Sequence, residues 1–380
     1  MLPSLLLFLL ILSFLVFIHE LGHFLSARKF GVKVDEFGIG IPPRAWGKKI
    51  GETIYSLNWL PIGGFVKIRG EDLDDYDPND PQNFMNKKPW QRSIILLAGI
   101  FMNFVFAVLV FYFLLASNGW KSSPLVVLAD YNFPFGERVE ITNVVMGVAS
   151  DSNAEKAGVK FGDRILKLSV GDLSFEPKSS EELIEFVSGK EGQEIEVQTE
   201  NINTGVKSIY KIIPTYNDEV KRAALGVQLG EVVQLAYVTP LQKSFAGFTH
   251  SVNIVGYSFK VMGSLISISV DTKDVGPVAQ GVSGPVGIFG AVQSITKLGG
   301  SRVYMAILDL MALLSLSLAV MNLLPFPALD GGRWVFVLSE WISGRKPSPK
   351  LEARAHQIGF AILLVFIVLV TFKDISQFFI

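Results

Sequence analysis

Apolar residues run in long blocks at four places along the chain. Leu2 to Leu25, Ser93 to Ala116 and Val303 to Leu324 each reach the roughly 20 residues that a helix needs to cross a hydrocarbon core, and Ile358 to Phe372 is a shorter fourth. They predict four transmembrane helices. The first has neither a basic leading region nor a small-residue cleavage site, so it reads as a retained span and not a signal peptide. Between the second and third blocks the pattern changes to alternation. Val139 to Val145 and Glu194 to Thr199 read as half-buried strands, and a Ser-Ser-Glu-Glu opening predicts a helix around Ser180 to Ser188. Leu241 to Ile268 is only moderately apolar, with Lys243, His250 and Lys260 dispersed through it. That pattern fits an interfacial amphipathic helix better than a fifth span and puts His250 at a surface or interface. The Gly- and Val-rich stretch Val275 to Gly290 predicts a loop packed near the core.

The loop between the first two spans carries its own signal. Ile54 to Gly70 holds two β-rich runs joined by Pro61 and the Gly63-Gly64 pair, which predicts a hairpin. Trp59, Leu60, Ile62 and Phe65 are too apolar for an exposed turn.

Composition agrees with a membrane protein. Of 380 residues 49% are hydrophobic and 18% charged, against roughly 25% charged in a soluble domain. A net charge of −1 gives no reason to expect a nucleic-acid partner. Cationic residues orient the spans: Arg28, Lys29, Lys33, Arg44, Lys48, Lys49, Lys67, Arg69, Lys87, Lys88 and Arg92 crowd the first loop, and Arg333, Arg345, Lys346, Lys350 and Arg354 the third. By the positive-inside rule both loops are cytoplasmic, and both termini and residues 117–302 lie outside.

Within the first apolar block stands His19-Glu-Leu-Gly-His23. Residues i and i+4 share a helix face, so both imidazoles can hold one zinc ion while the Glu20 carboxylate takes a proton from water beside it. Three ionisable groups within five residues are costly at bilayer depth, which argues against chance. With no cysteine in the chain, any further ligand is His, Asp or Glu. Asp330 is the best candidate: Pro325 and Pro327 end the regular helix ahead of it, and Gly331-Gly332 permits a tight turn beside a ligand. A plain Asp-Gly turn is the alternative reading, and Glu36, Glu52 and Asp309 compete as ligands. Asp309 stands about 30 Å from Asp330 along a helix, near the opposite face of the membrane. Spans one and three both run inward, so His19 and Asp330 can meet at one depth.

His19-Glu-Leu-Gly-His23, Asn322-x-x-Pro-x-Pro-x-Leu-Asp-Gly-Gly332, Gly99-Ile-Phe-Met-Asn103 and Ser283-Gly-Pro-Val-Gly-Ile288 together resemble the site-2 protease family of intramembrane zinc metalloproteases. The bacterial regulator-of-sigma-E proteases look nearest, and the resemblance covers nearly the whole chain. Ala154 to Lys167 resembles the central element of a PDZ domain, a module that binds extended peptides by strand addition.

The resemblance implies a polytopic α-helical membrane protein with a membrane-associated β-hairpin and one inserted PDZ-like domain. Its parts are 1–118 (spans one and two with the hairpin), 119–230 (PDZ-like, extracytoplasmic), 231–300 (amphipathic connector) and 301–380 (spans three and four). It further implies zinc on His19, His23 and Asp330, Glu20 as general base, Asn322 on substrate backbone and Asn103 supporting the core nearby. The hairpin around Gly63, Gly64 and Phe65 would pair with an extended substrate strand. The expected function is intramembrane endopeptidase action on single-span proteins of a bacterial inner membrane, toward its cytoplasmic side, with anti-sigma factors or remnant signal peptides as substrates. The inserted domain either reads a peptide end or filters ectodomains by size. A non-catalytic membrane scaffold with a structural metal and a peptide-binding PDZ domain is the alternative, and Glu20 discriminates, because a structural site needs no base.

Overall fold

The computed structural model describes residues 1–71, 76–202, 205–217, 221–298, 303–346 and 348–379. The chain divides into two compact units, residues 1–114 with 247–380, and residues 115–246.

The first unit begins with helix α1 (Leu2–Lys29), which starts with a proline in its first turn and ends on Arg28 and Lys29. Phe8, Ile11, Leu15, His19, Gly22, His23 and Ala27 form its buried face, at the spacing of three and four that keeps side chains on one stripe. Strands β1 (Val34–Ile50) and β2 (Thr53–Ile68) follow, then helix α2 (Pro89–Ser117). The two glycines at the α1–α2 crossing are required by space. A Cβ on Gly22 would lie 2.3 Å from the Ala98 carbonyl oxygen, and one on Gly99 would lie 2.4 Å from His23 Nε2.

The predicted hairpin is corrected in its pairing: both β-rich runs belong to β2, which follows a reversal at Gly51-Glu52, and they pair with β1 between them and not with each other. Val34–Ile39 of β1 pairs along one edge with Gly64–Ile68 and along the other with Ile54–Leu57, while Arg44–Ile50 pairs with Thr53–Asn58. Two long strands thereby double back into four paired runs. Gly63, at φ +74°, lies at the end of the stretch between Leu57 and Gly64 where β2 doubles back. Phe37 packs on Phe17 and Phe24 of α1 at ring distances of 5.6 and 4.9 Å. Farther along, Ser13 Oγ donates to the Pro61 carbonyl at 3.0 Å and accepts the Gly63 N–H at 3.2 Å. The sheet thus follows α1 from Ala27 to Ser13, about 20 Å.

The second unit holds β3 (Leu125–Val126), β4 (Glu137–Val148), α3 (Asn153–Ala157), β5 (Asp163–Val170), β6 (Leu173–Phe175), α4 (Ser180–Ser188), β7 (Ile195–Asn201), β8 (Lys207–Ile212), β9 (Thr215–Asn217), β10 (Arg222–Ala224), β11 (Val227–Ala236) and α5 (Pro240–Ser244). Its main sheet runs β3-β11-β4-β5-β7-β8, with β6 beside β5 and a β9–β10 hairpin apart. The predicted α4 forms where the Ser179 side chain accepts the Glu182 N–H. Val145, Leu168, Leu183, Ile195 and Val197 make the core. The predicted limit at residue 230 cuts β11, whose Val232–Ala236 pairs back on Ile141–Glu137, and the unit extends to 246. A pairing over some 90 residues leaves no local mark in the sequence.

The first unit resumes with α6 (Ala246–Thr272), α7 (Gly276–Gln280), α8 (Pro285–Leu298), α9 (Val303–Leu323), α10 (Asp330–Ser343) and α11 (Pro349–Phe379). The predicted boundary at 300/301 lies outside the described residues. Among the described residues five helices, not four, are long and apolar enough to cross a membrane: α1, α2, α6, α9 and α11. The extra one is α6. His250, predicted at a surface or interface, is buried in it against Phe111, with ring centroids 4.9 Å apart. Its polar residues Ser251 and Asn253 are also inward, whereas Phe248, Phe259, Ile266 and Val270 are exposed. Lys373 of α11 donates to the Ala279 and Val282 carbonyls just beyond α6. The loop predicted at Val275 to Gly290 is in fact α7 and the start of α8. Val292 of α8 packs on Phe8, Ile11 and Leu15 of α1, and Asp374 accepts the Gly284 and Gly287 N–H groups at 2.9 and 2.8 Å.

The crossing of α1 and α2 is a close backbone approach that bears on the site. Gly22→Ala is expected to lower stability by about 1–3 kcal/mol, read as thermal unfolding in detergent. An unchanged melting temperature would mean that the two backbones are farther apart.

Candidate metal centre

His19 and His23 stand one helical turn apart on the buried face of α1, over Gly99 of α2. His23 Nδ1 lies 2.8 Å from the Ile95 carbonyl oxygen. A carbonyl only accepts, so Nδ1 carries the proton and the Nε2 lone pair is free. His19 Nδ1 lies 3.3 Å from the Asn103 side-chain amide, placed with its nitrogen toward the ring, while the buried Asn103 Oδ1 has no partner. Reversing the amide satisfies Oδ1 and makes His19 Nδ1 a donor, which frees His19 Nε2 in the same way. Asn103 is fully buried, held further by Ser315 Oγ on its carbonyl at 2.9 Å. Its position supports the metal ligand, and it also lines the cavity beside the donors.

The third group arrives from 311 residues away. Leu323 ends α9, an irregular turn follows, and Asp330 opens α10. Gly331 and Gly332 let that first turn press onto the preceding backbone: Cβ atoms there would lie 2.4 Å from the Leu324 oxygen and 2.2 Å from the Phe326 oxygen. Ala328 adopts φ +80°, a conformation that costs an L-residue roughly 1–2 kcal/mol.

Asp330 Oδ2 lies 2.9 Å from His19 Nε2 and 3.3 Å from His23 Nε2, and the two Nε2 atoms are 3.2 Å apart. Ligand bonds of about 2.0–2.1 Å in a tetrahedron put donors about 3.3 Å from one another. The residues fit zinc in number, type and spacing. Among the described residues His19, His23 and Asp330 are the group able to hold a metal ion. The competing acids fall elsewhere: Glu36 is paired with Arg44, and neither Glu52 nor Asp309 joins the cluster.

A cavity of about 260 Å³ opens beside the donors, lined by Val16, His19, Glu20, Asn103, Leu318, Asn322, Ala328, Leu329 and Asp330. It brings Glu20 and Asn322 to the donor group. Gly63, Gly64 and Phe65 do not line it, but Gly63 faces Val16, which does. Sequence reasoning did not single out Gly99 as a spacing requirement, nor Arg333, which pairs with Glu71 one turn after Asp330. The Gly-x-x-x-Asn spacing was the available signal for the former.

The sequence pattern of peptidase family M50 matches residues 7–366. The chain belongs to peptidase family M50. Relatives carrying zinc-metalloprotease names include proteins of Clostridium perfringens, 33% identical over 369 residues and 97% of each chain, and of Fusobacterium nucleatum, 31% identical over 378 residues and 97% of each. Another, from Nostoc, is 30% identical over 97% of this chain and 94% of its own. Among solved structures, the PDZ domain of an SdrC-like protein from Listeria monocytogenes is similar over 27% of this chain and 93% of its own, at 20% identity and a TM-score of 0.19. This M50 chain is a zinc metalloprotease.

Metal content separates the residues. Asp330→Asn and Gly99→Ala are expected to purify with little zinc, Asn103→Ala to bind it about 10–100-fold more weakly, and Asp309→Asn to retain it. Equal loss from Asp309→Asn and Asp330→Asn would overturn the ligand set.

Proposed function

We propose that this M50 peptidase is an intramembrane endopeptidase that cleaves transmembrane segments of single-span proteins near the cytoplasmic side of a bacterial inner membrane. The observation that carries the reading is the depth of the donor group. His19 and His23 sit inside the first apolar helix, with Arg28 and Lys29 following within three turns at its end, and these cations with those of the loop after it support a position toward the cytoplasm.

Roles follow from position. His19, His23 and Asp330 hold the zinc. When bound, the metal supplies Lewis acidity, polarising a carbonyl and acidifying water toward a pKa of about 7. Glu20 is rotated from its neighbours on the helix, faces the cavity, and takes the proton from water before returning it to the leaving amine. Asn322, which also lines the cavity, holds the peptide backbone. A peptide bond within a helix is screened by the turns and side chains around it, so the substrate enters extended to bring its carbonyl to the donors. The outer run of the sheet, at Gly63 to Phe65, offers an edge for that strand, next to Val16 on the cavity wall. A Glu20 carboxylate on the wall of an open cavity favours catalysis over the structural-metal scaffold.

The route of α6 fits four crossings. It starts at α2 near Val108, where a Cβ on Gly247 would meet the Val108 oxygen at 2.3 Å, and the segment that follows it meets Lys373 of α11 at Ala279 and Val282. Val108 is about 13 Å past Gly99, and Lys373 about 21 Å past Gly359, which faces Pro327 of the ligand turn. The start of α6 and the segment after it are then both on the outer side of the donor level, which supports a helix of about 40 Å that runs along the membrane and not through it. The inserted PDZ-like domain, outside the cytoplasm in this topology, acts as a size filter for substrates already trimmed there, such as anti-sigma factors or remnant signal peptides.

Glu20→Gln, assayed on a single-span substrate in detergent, is expected to lose at least about 10²-fold in kcat while keeping its zinc; a wild-type rate would sink the mechanism. For topology, Lys243→Cys and Lys273→Cys in this cysteine-free chain should both react with an impermeant maleimide added outside. Labelling from opposite sides would make α6 a fifth span.

A further inference from the structure

The three metal-facing groups are secured differently. His19 and His23 ride on a continuous helix, whereas Asp330 follows the irregular turn at 324–329, which contains the left-handed Ala328. A strained non-glycine residue persists where its surroundings over-determine it. Here the surroundings are α11. The Ala328 N–H donates to His356 Nδ1 at 2.9 Å, and three residues on, a Cβ at Gly359 would lie 2.3 Å from the Pro327 oxygen. The His356 ring also lies 5.8 Å from that of Phe336 on α10. One side chain thus reaches both the turn that leads into Asp330 and the helix that Asp330 begins.

We propose that His356, with the close approach allowed by Gly359, is a positioning residue for the metal centre. It holds the 324–329 turn so that the Asp330 carboxylate, and the cavity wall made by Ala328 and Leu329, stay in register with His19 and His23. His356 touches neither metal nor substrate. It acts through the Ala328 peptide, and this assignment rests on Asp330 being a zinc ligand.

Asparagine and glutamine test the acceptor position. In His356→Asn the new amide oxygen falls near the place of Nδ1, and in His356→Gln it falls near the place of Nε2. Four variants, His356→Leu, His356→Asn, His356→Gln and Asp330→Asn, are compared for the rate of zinc loss to a chelator and for the visible spectrum of the cobalt-substituted protein. His356→Leu and His356→Gln are expected to release zinc about 10–100-fold faster with an altered cobalt spectrum, while His356→Asn stays near wild type. Should His356→Leu fail to fold, the asparagine and glutamine variants carry the comparison. Equal behaviour of those two, or an unchanged spectrum in His356→Leu, overturns the positioning role. If Asp330→Asn itself keeps zinc, the ligand assignment fails, which is a separate result from losing only the role of His356.

Discussion

Two imidazole lone pairs and a carboxylate oxygen aimed at one point repel one another unless a cation lies between them. That constraint organises the first unit. The Ile95 carbonyl and the Asn103 amide fix the far nitrogens of His23 and His19, so the near ones face Asp330 Oδ2 at 3.3 and 2.9 Å. Getting them there needs α1 and α2 in backbone contact, which Gly22 and Gly99 permit, and needs Asp330 to be delivered by a turn that lets α10 begin against the end of α9. The sheet, α8 and α11 pack around these elements, and each touches either α1 or the turn.

A hydrolytic site at membrane depth has to solve two further problems, water and access. The cavity is lined by His19, Asp330, Glu20 and Asn322. The sheet lies along α1 with Ser13 tying its backbone at Pro61 and Gly63. In the function proposed above, unwinding a substrate and offering it a strand partner become one step.

Much of the site was legible in the sequence because its chemistry is local. An i, i+4 histidine pair with an intervening glutamate is readable within five residues, and Asp330 announces itself through the prolines before and glycines after it. What stayed hidden depends on distance. Val34–Ile39 pairs on both edges with parts of one strand, which no alternation pattern records, so a hairpin was placed at Gly63-Gly64. The polar His250, Ser251 and Asn253 lowered the apolarity of α6, yet they face inward and leave its apolar residues outside. The contribution of His356 requires a helix that begins 19 residues after Asp330 to fold back over the preceding turn.

Everything else rests on zinc being held by two histidines of α1 and one carboxylate from α10. X-ray absorption at the zinc edge of the purified protein tests this most directly. The expected result is scattering from two imidazoles with the remaining coordinating atoms oxygen, at about 2.0–2.1 Å, and loss of that signature in Asp330→Asn. A spectrum fitted by one imidazole or by three, or one that Asp330→Asn leaves unchanged, would contradict it.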